Sequence, residues 1–284
     1  MTGKHYLLAS LFLVINPVLA QSLPNPEIVG VRLGMSKAAA LSQIKSKYPN
    51  ALVSPLKKSV ATEVGELIYE AQYLIDLGAS KTAADDKVML TFLPDDNVLA
   101  VKRTIRYQPS KQKTADLYMA LTQKFGNPVY FVSDDSTRFE DQAMWSDKML
   151  PGLSLIGSAY VQGGRISSTD FGTVTPYPYC EMEMSAYTSQ TFSPKALFTA
   201  LTDKSDFTRN KVNKAKACGT ALWVHNTHER PQIYNTVQTE MYLMNLEEAP
   251  AKVLQLGEMV ANHPKTIRFS TVSQPKMQGS TPDL

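Results

Sequence analysis

The sequence GELIYEAQYLIDL, residues 65–77, sets the fold class of this chain. Apolar side chains occupy every second position from Leu67 to Leu77, and acidic or amide side chains fill several of the positions between them. A two-residue period is the pattern of a β-strand with one face on the core and the other in water. We therefore expect a strand of an antiparallel sheet here.

Two further apolar runs, at 88–93 and 98–107, extend the sheet. The tetrapeptide Pro94-Asp95-Asp96-Asn97 lies between them and is rich in turn-forming residues. The two runs are therefore predicted to form a hairpin next to the strand at 65–77.

A helix is predicted to precede this meander. Ser36 is placed to cap its first turn, and Pro49 ends it. Its apolar stripe recurs at three- and four-residue steps, at Ala38, Leu41, Ile44 and Tyr48.

A second helix is predicted over 112–125 and ends at Gly126. Its predicted inner face consists of Leu117, Tyr118, Leu121 and Phe125. The helix ends read Lys47-Tyr48-Pro49-Asn50 and Lys124-Phe125-Gly126-Asn127. The fold class is therefore α+β, with a few helices packed on one face of antiparallel sheets, and two related helix-then-meander units are a second interpretation.

Four parts of the chain follow from these patterns. They are a cleaved signal peptide at 1–20, a first helix-plus-meander unit at 21–108, a second α+β unit with a disulfide at 109–262, and a mobile C-terminal tail at 263–284.

The first part has the layout of a secretory signal. Lys4 precedes an apolar run at 7–15, and Val18-Leu19-Ala20 suits cleavage before Gln21. No later apolar stretch is long enough to cross a bilayer, so we expect no transmembrane segment in the mature chain. The predicted location is the bacterial periplasm or the exterior, with the protein soluble after cleavage.

Export decides how the two cysteines, Cys180 and Cys218, are interpreted. In an oxidising compartment an even pair favours one disulfide. A metal site built from these thiols with His225 and His228 is the alternative, but its spacing does not match that of zinc modules.

Composition excludes several function classes. The chain has 284 residues and a formal net charge of +3, which does not indicate a nucleic-acid partner. It contains no P-loop and no G-x-G-x-x-G, so no cofactor is predicted.

The run His225-Asn226-Thr227-His228-Glu229 contains the only histidine pair of the predicted mature chain. Between two strand-like runs it is predicted to be a polar hairpin loop. As an alternative, His225, His228 and Glu229 could converge on one metal ion. The acidic segment from Asp134 to Asp147 lacks an EF-hand pattern and is predicted to be a solvated loop.

The connection from Gln162 to Pro178 is the predicted binding site. Loops of this length are uncommon in compact domains and often have a function. Glycine, serine and threonine residues give it adaptable polar groups. The predicted binding residues are Arg165, Phe171, Tyr177 and Tyr179.

The capped helix after Gly34-Met35-Ser36, followed by a meander, resembles the helix-plus-sheet modules of small bacterial envelope proteins. These are the accessory lipoproteins of outer-membrane assembly and the β-lactamase inhibitor proteins, which carry the module twice. The resemblance covers about residues 28–130, implies protein binding in the envelope, and transfers no catalytic residues. Unlike the lipoproteins, this chain has no cysteine at its predicted mature start.

Three functions remain open at this point. The first is an exported non-catalytic protein that binds another envelope or secreted protein, or a surface, through the 162–179 loop. The second is an exported hydrolase, with or without a metal, whose active site the sequence does not reveal. The third is a periplasmic carrier of a small ligand.

Overall fold

The computed structural model describes residues 23, 25–62, 65–93, 95–128, 130–134, 140–148, 160–162, 165–167, 216, 218–229, 234–252 and 254–255. The predicted signal peptide at 1–20 and the predicted tail at 263–284 lie outside these residues.

Two helices and ten strands have bounds within the described ranges. In chain order they are α1 (Lys37–Lys47), β1 (Leu52–Thr62), β2 (Gly65–Asp76), β3 (Ala83–Phe92), β4 (Val98–Tyr107), α2 (Thr114–Phe125), β5 (Tyr130–Asp134), β6 (Glu140–Ser146), β7 (Tyr160–Gln162), β8 (Arg165–Ser167), β9 (Thr220–His228) and β10 (Thr236–Asn245).

Eight of these strands form one antiparallel sheet in the order β1-β2-β3-β4-β10-β9-β6-β5, and β7 pairs with β8 separately. The α+β class expected from the sequence is confirmed. Strands β1 to β4 follow one another along one half of the sheet, and β5, β6, β9 and β10 form the other half. The halves join where β4 pairs with β10.

A row of apolar residues crosses the sheet and forms the centre of the core. Each member lies directly opposite the next on neighbouring strands, and the row consists of Tyr73, Leu90, Val101, Leu243, Leu222 and Trp145. All six are buried in one cluster that also contains the buried apolar residues of α1 and α2. Burying one such side chain stabilises the fold by about 1.5–3 kcal/mol.

The helices agree with their predicted starts and ends to within two residues. The Ser36 hydroxyl caps α1 by accepting a hydrogen bond from the Ala39 amide at 3.3 Å. Ala40 and Ile44 are the buried residues of α1, whereas the predicted Ala38 is exposed. On α2 all four predicted inner residues are buried, and the helix ends at Gly126 with φ at +79°.

Strand β1 was not expected from the sequence. Among the strands that the structure describes, Leu52–Thr62 lies at the edge of the sheet and pairs only with β2. An edge strand tolerates Pro55 because one side of its backbone needs no partner, and lysines such as Lys57 are common at exposed edges. Because proline and lysine interrupt the alternation of apolar residues, the sequence pattern does not predict this strand.

Two loop predictions are wrong in part. Strand β9 continues to His228, so the run 225–228 is part of the strand and not a hairpin loop. The acidic segment contains strand β6, in which Asp141 is 1% exposed. A buried carboxylate is uncommon unless donors surround it, which is why the composition favoured a loop.

Within the described ranges, no helix is long and apolar enough to cross a membrane.

Candidate functional site

Three of the four predicted binding residues, Phe171, Tyr177 and Tyr179, lie outside the described residues. Their role therefore stays a prediction. Arg165 lies in β8 and pairs with Gln162 of β7, so a short strand interrupts the connection predicted to be a loop.

The disulfide also stays a prediction. Cys218 is 1% exposed, and its predicted partner Cys180 lies outside the described residues.

The two histidines of β9 lie on opposite faces of the sheet. His225 and His228 are three positions apart on a strand, and side chains alternate faces with a period of two. Glu229 follows the strand, and its Oε2 accepts hydrogen bonds from Asn235 Nδ2 at 3.0 Å and Ser110 Oγ at 3.2 Å. These three residues therefore do not converge, and no group of three metal-ligating side chains occurs in the described part of the chain.

His228 lies at the centre of a buried polar cluster between α2 and the sheet. Its Nε2 is 2.6 Å from Asp141 Oδ2, and its Nδ1 is 3.3 Å from the Thr114 hydroxyl. We call this group the His228 cluster, and its members are Thr114, Tyr118, Asp141, Asn226, His228, Thr236 and Thr239.

Asp141 accepts hydrogen bonds from three side chains in the His228 cluster. Besides His228, the Tyr118 hydroxyl donates to its Oδ1, as does Asn226 Nδ2 at 2.8 Å. Asn226 in turn accepts a bond from the Thr239 hydroxyl at 2.7 Å. Burial raises the pKa of Tyr118 well above its usual value, and the neighbouring Asp141 charge raises it further. The hydrogen bonds from His228, Tyr118 and Asn226 compensate the Asp141 carboxylate for its removal from water.

The order Thr114, His228, Asp141 is that of a hydroxyl, imidazole and carboxylate relay, which in hydrolases activates a nucleophile. Thr114 is only 4% exposed, however, and its hydroxyl also lies 3.0 Å from that of Thr236. A substrate carbonyl has no approach to a hydroxyl in this position. The arrangement instead fastens the first turn of α2 to the sheet.

His225 belongs to a second cluster on the opposite face, at the join between the halves. Lys102 Nζ is 2.9 Å from Glu240 Oε1, and the Tyr242 hydroxyl donates to Glu240 Oε2 at 2.7 Å. His225 Nε2 lies 3.4 Å from Glu140 Oε2. Burial opposes ionisation of Glu240, but the hydrogen bonds from Tyr242 and Lys102 outweigh it and lower its pKa. We call these five residues the His225 cluster.

The chain leaves and re-enters the sheet at one clamped point between β6 and β9. The Asp147 amide donates to Thr220 O at 3.1 Å, and the Thr220 amide donates to Asp147 Oδ1 at 2.8 Å. The Ser146 hydroxyl donates to Cys218 O at 2.7 Å. Gly219 has φ at +58°, and a Cβ there would collide with Asp147.

Sequence reasoning missed the His228 cluster, although one signal was present. In β6 the residues Asp141, Ala143 and Trp145 alternate, which is the strand period. That period would have placed Asp141 on the same face as two core residues.

Comparison with family models, curated proteins and solved structures gave no match. The resemblance to envelope modules therefore stays a prediction.

Proposed function

We propose that this protein is an exported, non-catalytic binding protein of the bacterial envelope. It recognises another envelope protein or a surface through residues 162–179. The observation that supports the proposal is the long connection between two neighbouring strands, residues 147–219.

Strands β6 and β9 are antiparallel neighbours, which a turn of two to five residues can join. The corresponding connection in the first half, between β2 and β3, spans only 77–82. Long connections on a regular scaffold commonly carry function. The clamp of Asp147 and Thr220 holds the two ends of the connection together, so β6 and β9 are paired directly up to those ends.

The residue types within the connection suit recognition. Phe171, Tyr177 and Tyr179 supply aromatic contact area, and Arg165 supplies a cation. Aromatic side chains bring large contact areas at a low cost in conformational entropy, and arginine is common among the residues that contribute most to binding. A disulfide between Cys180 and Cys218 would tether the segment to the buried root of β9.

The geometry gives no support to the hydrolase alternative at the predicted residues. His225 and His228 are separated by the sheet, and the relay around Thr114 is closed to a substrate.

The finer fold proposal is that the two halves are related helix-then-meander units. At the start of α1, Ser36 bridges to Asn97, and the Lys37 amide donates to Asp96 O at 2.7 Å. At the start of α2, Lys113 bridges to Asn235, and the Thr114 amide donates to Tyr234 O at 2.9 Å. In both halves, therefore, the helix start is tied to the turn that leads into the last strand.

Chemical crosslinking of the mature protein in an envelope extract tests the binding proposal. We expect Phe171→Ala with Tyr177→Ala to abolish capture of the specific partner, while Tyr234→Ala leaves it unchanged. Tyr234 is a matched control because it is 56% exposed and lies outside the connection. Unchanged capture by the double variant would refute the proposal.

A further inference from the structure

The sheet has a second face, opposite to the one on which α1 and α2 pack. A row of side chains crosses this face, and each member lies directly opposite the next on the neighbouring strand. The row consists of Gln72, Thr91, Ala100, Met244, Ala221 and Ser146. Each member is the sequence neighbour of a residue in the core row, so its side chain lies on the other side of the sheet. All six are between 0% and 3% exposed.

Four large side chains on the second face are buried as well. They are Met89, Met144, Trp223 and Tyr242. Neither these four nor the row of six belongs to the core cluster that contains the buried residues of α1 and α2. Residues other than the two described helices therefore cover the second face.

The sequence of the central strands agrees with burial on both faces. Strand β6 contains Ala143-Met144-Trp145, and β9 contains the run 221–224, which is apolar at every position. Continuous apolar runs are typical of strands that have no face in water, whereas a strand with one wet face alternates.

The covered region adjoins the point where the long connection leaves the sheet. These side chains are buried within a single chain, so the covering residues belong to this chain. Ser146 directly precedes Asp147, and Ala221 directly follows Thr220, which are the two residues of the clamp. The connection 147–219 therefore begins and ends beside the second face.

Within the connection, residues 180–186 have the sequence pattern of a strand with one apolar side. Cys180, Met182, Met184 and Ala186 alternate with Glu181, Glu183 and Ser185. Methionine side chains adapt to irregular apolar surfaces and make favourable contacts with aromatic rings. Such a side is complementary to a face that is lined by methionine, alanine and tryptophan.

We propose that residues 180–186 cover the second face of the sheet, with Met182 and Met184 against Met144, Trp223 and Met244. The predicted disulfide to Cys218 would hold the start of this segment at the clamped end of the sheet. The second face is then closed to a partner, and residues 162–179 directly precede the covering segment. The proposal does not rest on partner binding by residues 162–179.

Photocrosslinking of the mature full-length protein tests the contact. Photo-methionine replaces methionine during synthesis, so the side chains keep nearly their natural shape. An equal mixture of isotopically light and heavy protein separates crosslinks within a chain from crosslinks between copies. We expect crosslinks within one chain that join position 182 or 184 to Met144, Trp223 or Met244.

Oxidation of methionine by peroxide tests whether this segment protects the second face. Met182→Glu with Met184→Glu should raise the oxidation rates of Met144 and Met244 by about tenfold or more, because burial then no longer limits access to them. Met119, which is 53% exposed, gives the rate of an accessible methionine. As a matched control, Ser185→Glu with Tyr187→Glu adds two charges to the other side of the same segment and should leave both rates unchanged.

Any of three results would overturn the proposal. The first is the absence of crosslinks from positions 182 and 184 to the second face within one chain, including crosslinks that form only between copies or only to residues 253–284. The second is unchanged protection of Met144 and Met244 in the Met182 and Met184 variant. The third is equal loss of protection in the control. Photocrosslinking uses no designed substitution, so it decides the matter even if a variant fails to fold. Partner capture enters neither experiment, so failure here leaves the binding proposal standing.

Discussion

The two halves of the sheet hold their helices by different means. In the first half, α1 buries only Ala40 and Ile44, and both are apolar. In the second half, α2 buries five residues, and two of them, Thr114 and Tyr118, belong to the His228 cluster. Apolar contacts tolerate small shifts, whereas a buried hydrogen-bond network fixes one arrangement. The half that carries the long connection is thus the half whose helix position is most narrowly specified.

The largest expected effect comes from replacing a paired aspartate in each half and comparing the losses in the free energy of unfolding. Asp141→Ala leaves the Tyr118 hydroxyl and His228 Nε2 buried without their acceptor and removes one of the two acceptors of Asn226 Nδ2, so we expect a loss of about 3–5 kcal/mol. Asp86→Ala in the first half frees the half-buried Arg103, which water reaches, and should cost about 1–2 kcal/mol. Urea unfolding measures both, and equal losses would contradict the difference drawn between the halves.

The second prediction tests what the halves share. Leu90 on β3 and Leu222 on β9 belong to the same buried row, at 0% and 1% exposure. Leu90→Ala and Leu222→Ala should each lower the free energy of unfolding by about 2–5 kcal/mol, and by similar amounts. A loss below about 2 kcal/mol for either variant in urea unfolding would show that the row is not fully packed in that half.

The third prediction compares the two connections through their glycines. Gly219, at the root of the long connection, has a positive φ and Asp147 where a Cβ would be, so Gly219→Ala should cost about 2–3 kcal/mol. Gly78, in the short connection, has φ at +81° but open space around it, and Gly78→Ala should cost about 1 kcal/mol. Thermal unfolding ranks the two, and the reverse order would mean that the root is not clamped.

The fourth prediction concerns the helix starts. Ser36 caps α1 through its side chain, so Ser36→Ala should cost about 1 kcal/mol. Lys113 occupies the same position of α2 and makes no capping bond with its side chain. Lys113→Ser should therefore stabilise the protein by about 0.5–1 kcal/mol in urea unfolding, and a loss there would refute the equivalence.

The smallest expected effect is at the join itself, where Glu240 of β10 meets Lys102 of β4. The pKa of Glu240 is lowered from 4.5 in the folded state, so its contribution to stability is present above that pH and is lost as the pH falls through the folded pKa. Glu240→Gln should destabilise the protein by about 1 kcal/mol or less at pH 7. The difference should vanish in acid, and a pH-independent difference in unfolding midpoints would exclude an ionic role.

The sequence was sufficient for elements whose residues obey one local period. The inner face of α2 and the strand at 65–76 follow from spacing, because local periodicity alone decides which side faces the core. Strand β1 escaped notice because an edge strand needs only one paired side, and so admits Pro55.

The His228 cluster could not be predicted for a different reason. Its members come from α2, β6, β9 and β10, which are far apart in the chain. Asp141 and His228 have polar neighbours in the sequence, which favours an exposed position for both. Only the strand order of the sheet brings the donors of Asn226 and His228 to the Asp141 carboxylate.

The most direct measurement is photocrosslinking in intact cells. One variant of the full-length protein carries a photoreactive phenylalanine analogue at position 171, and a second variant carries it at position 234. We predict a discrete protein adduct from position 171, within the long connection, and none from position 234. The same adducts from both positions, or none from position 171, would contradict binding through residues 162–179.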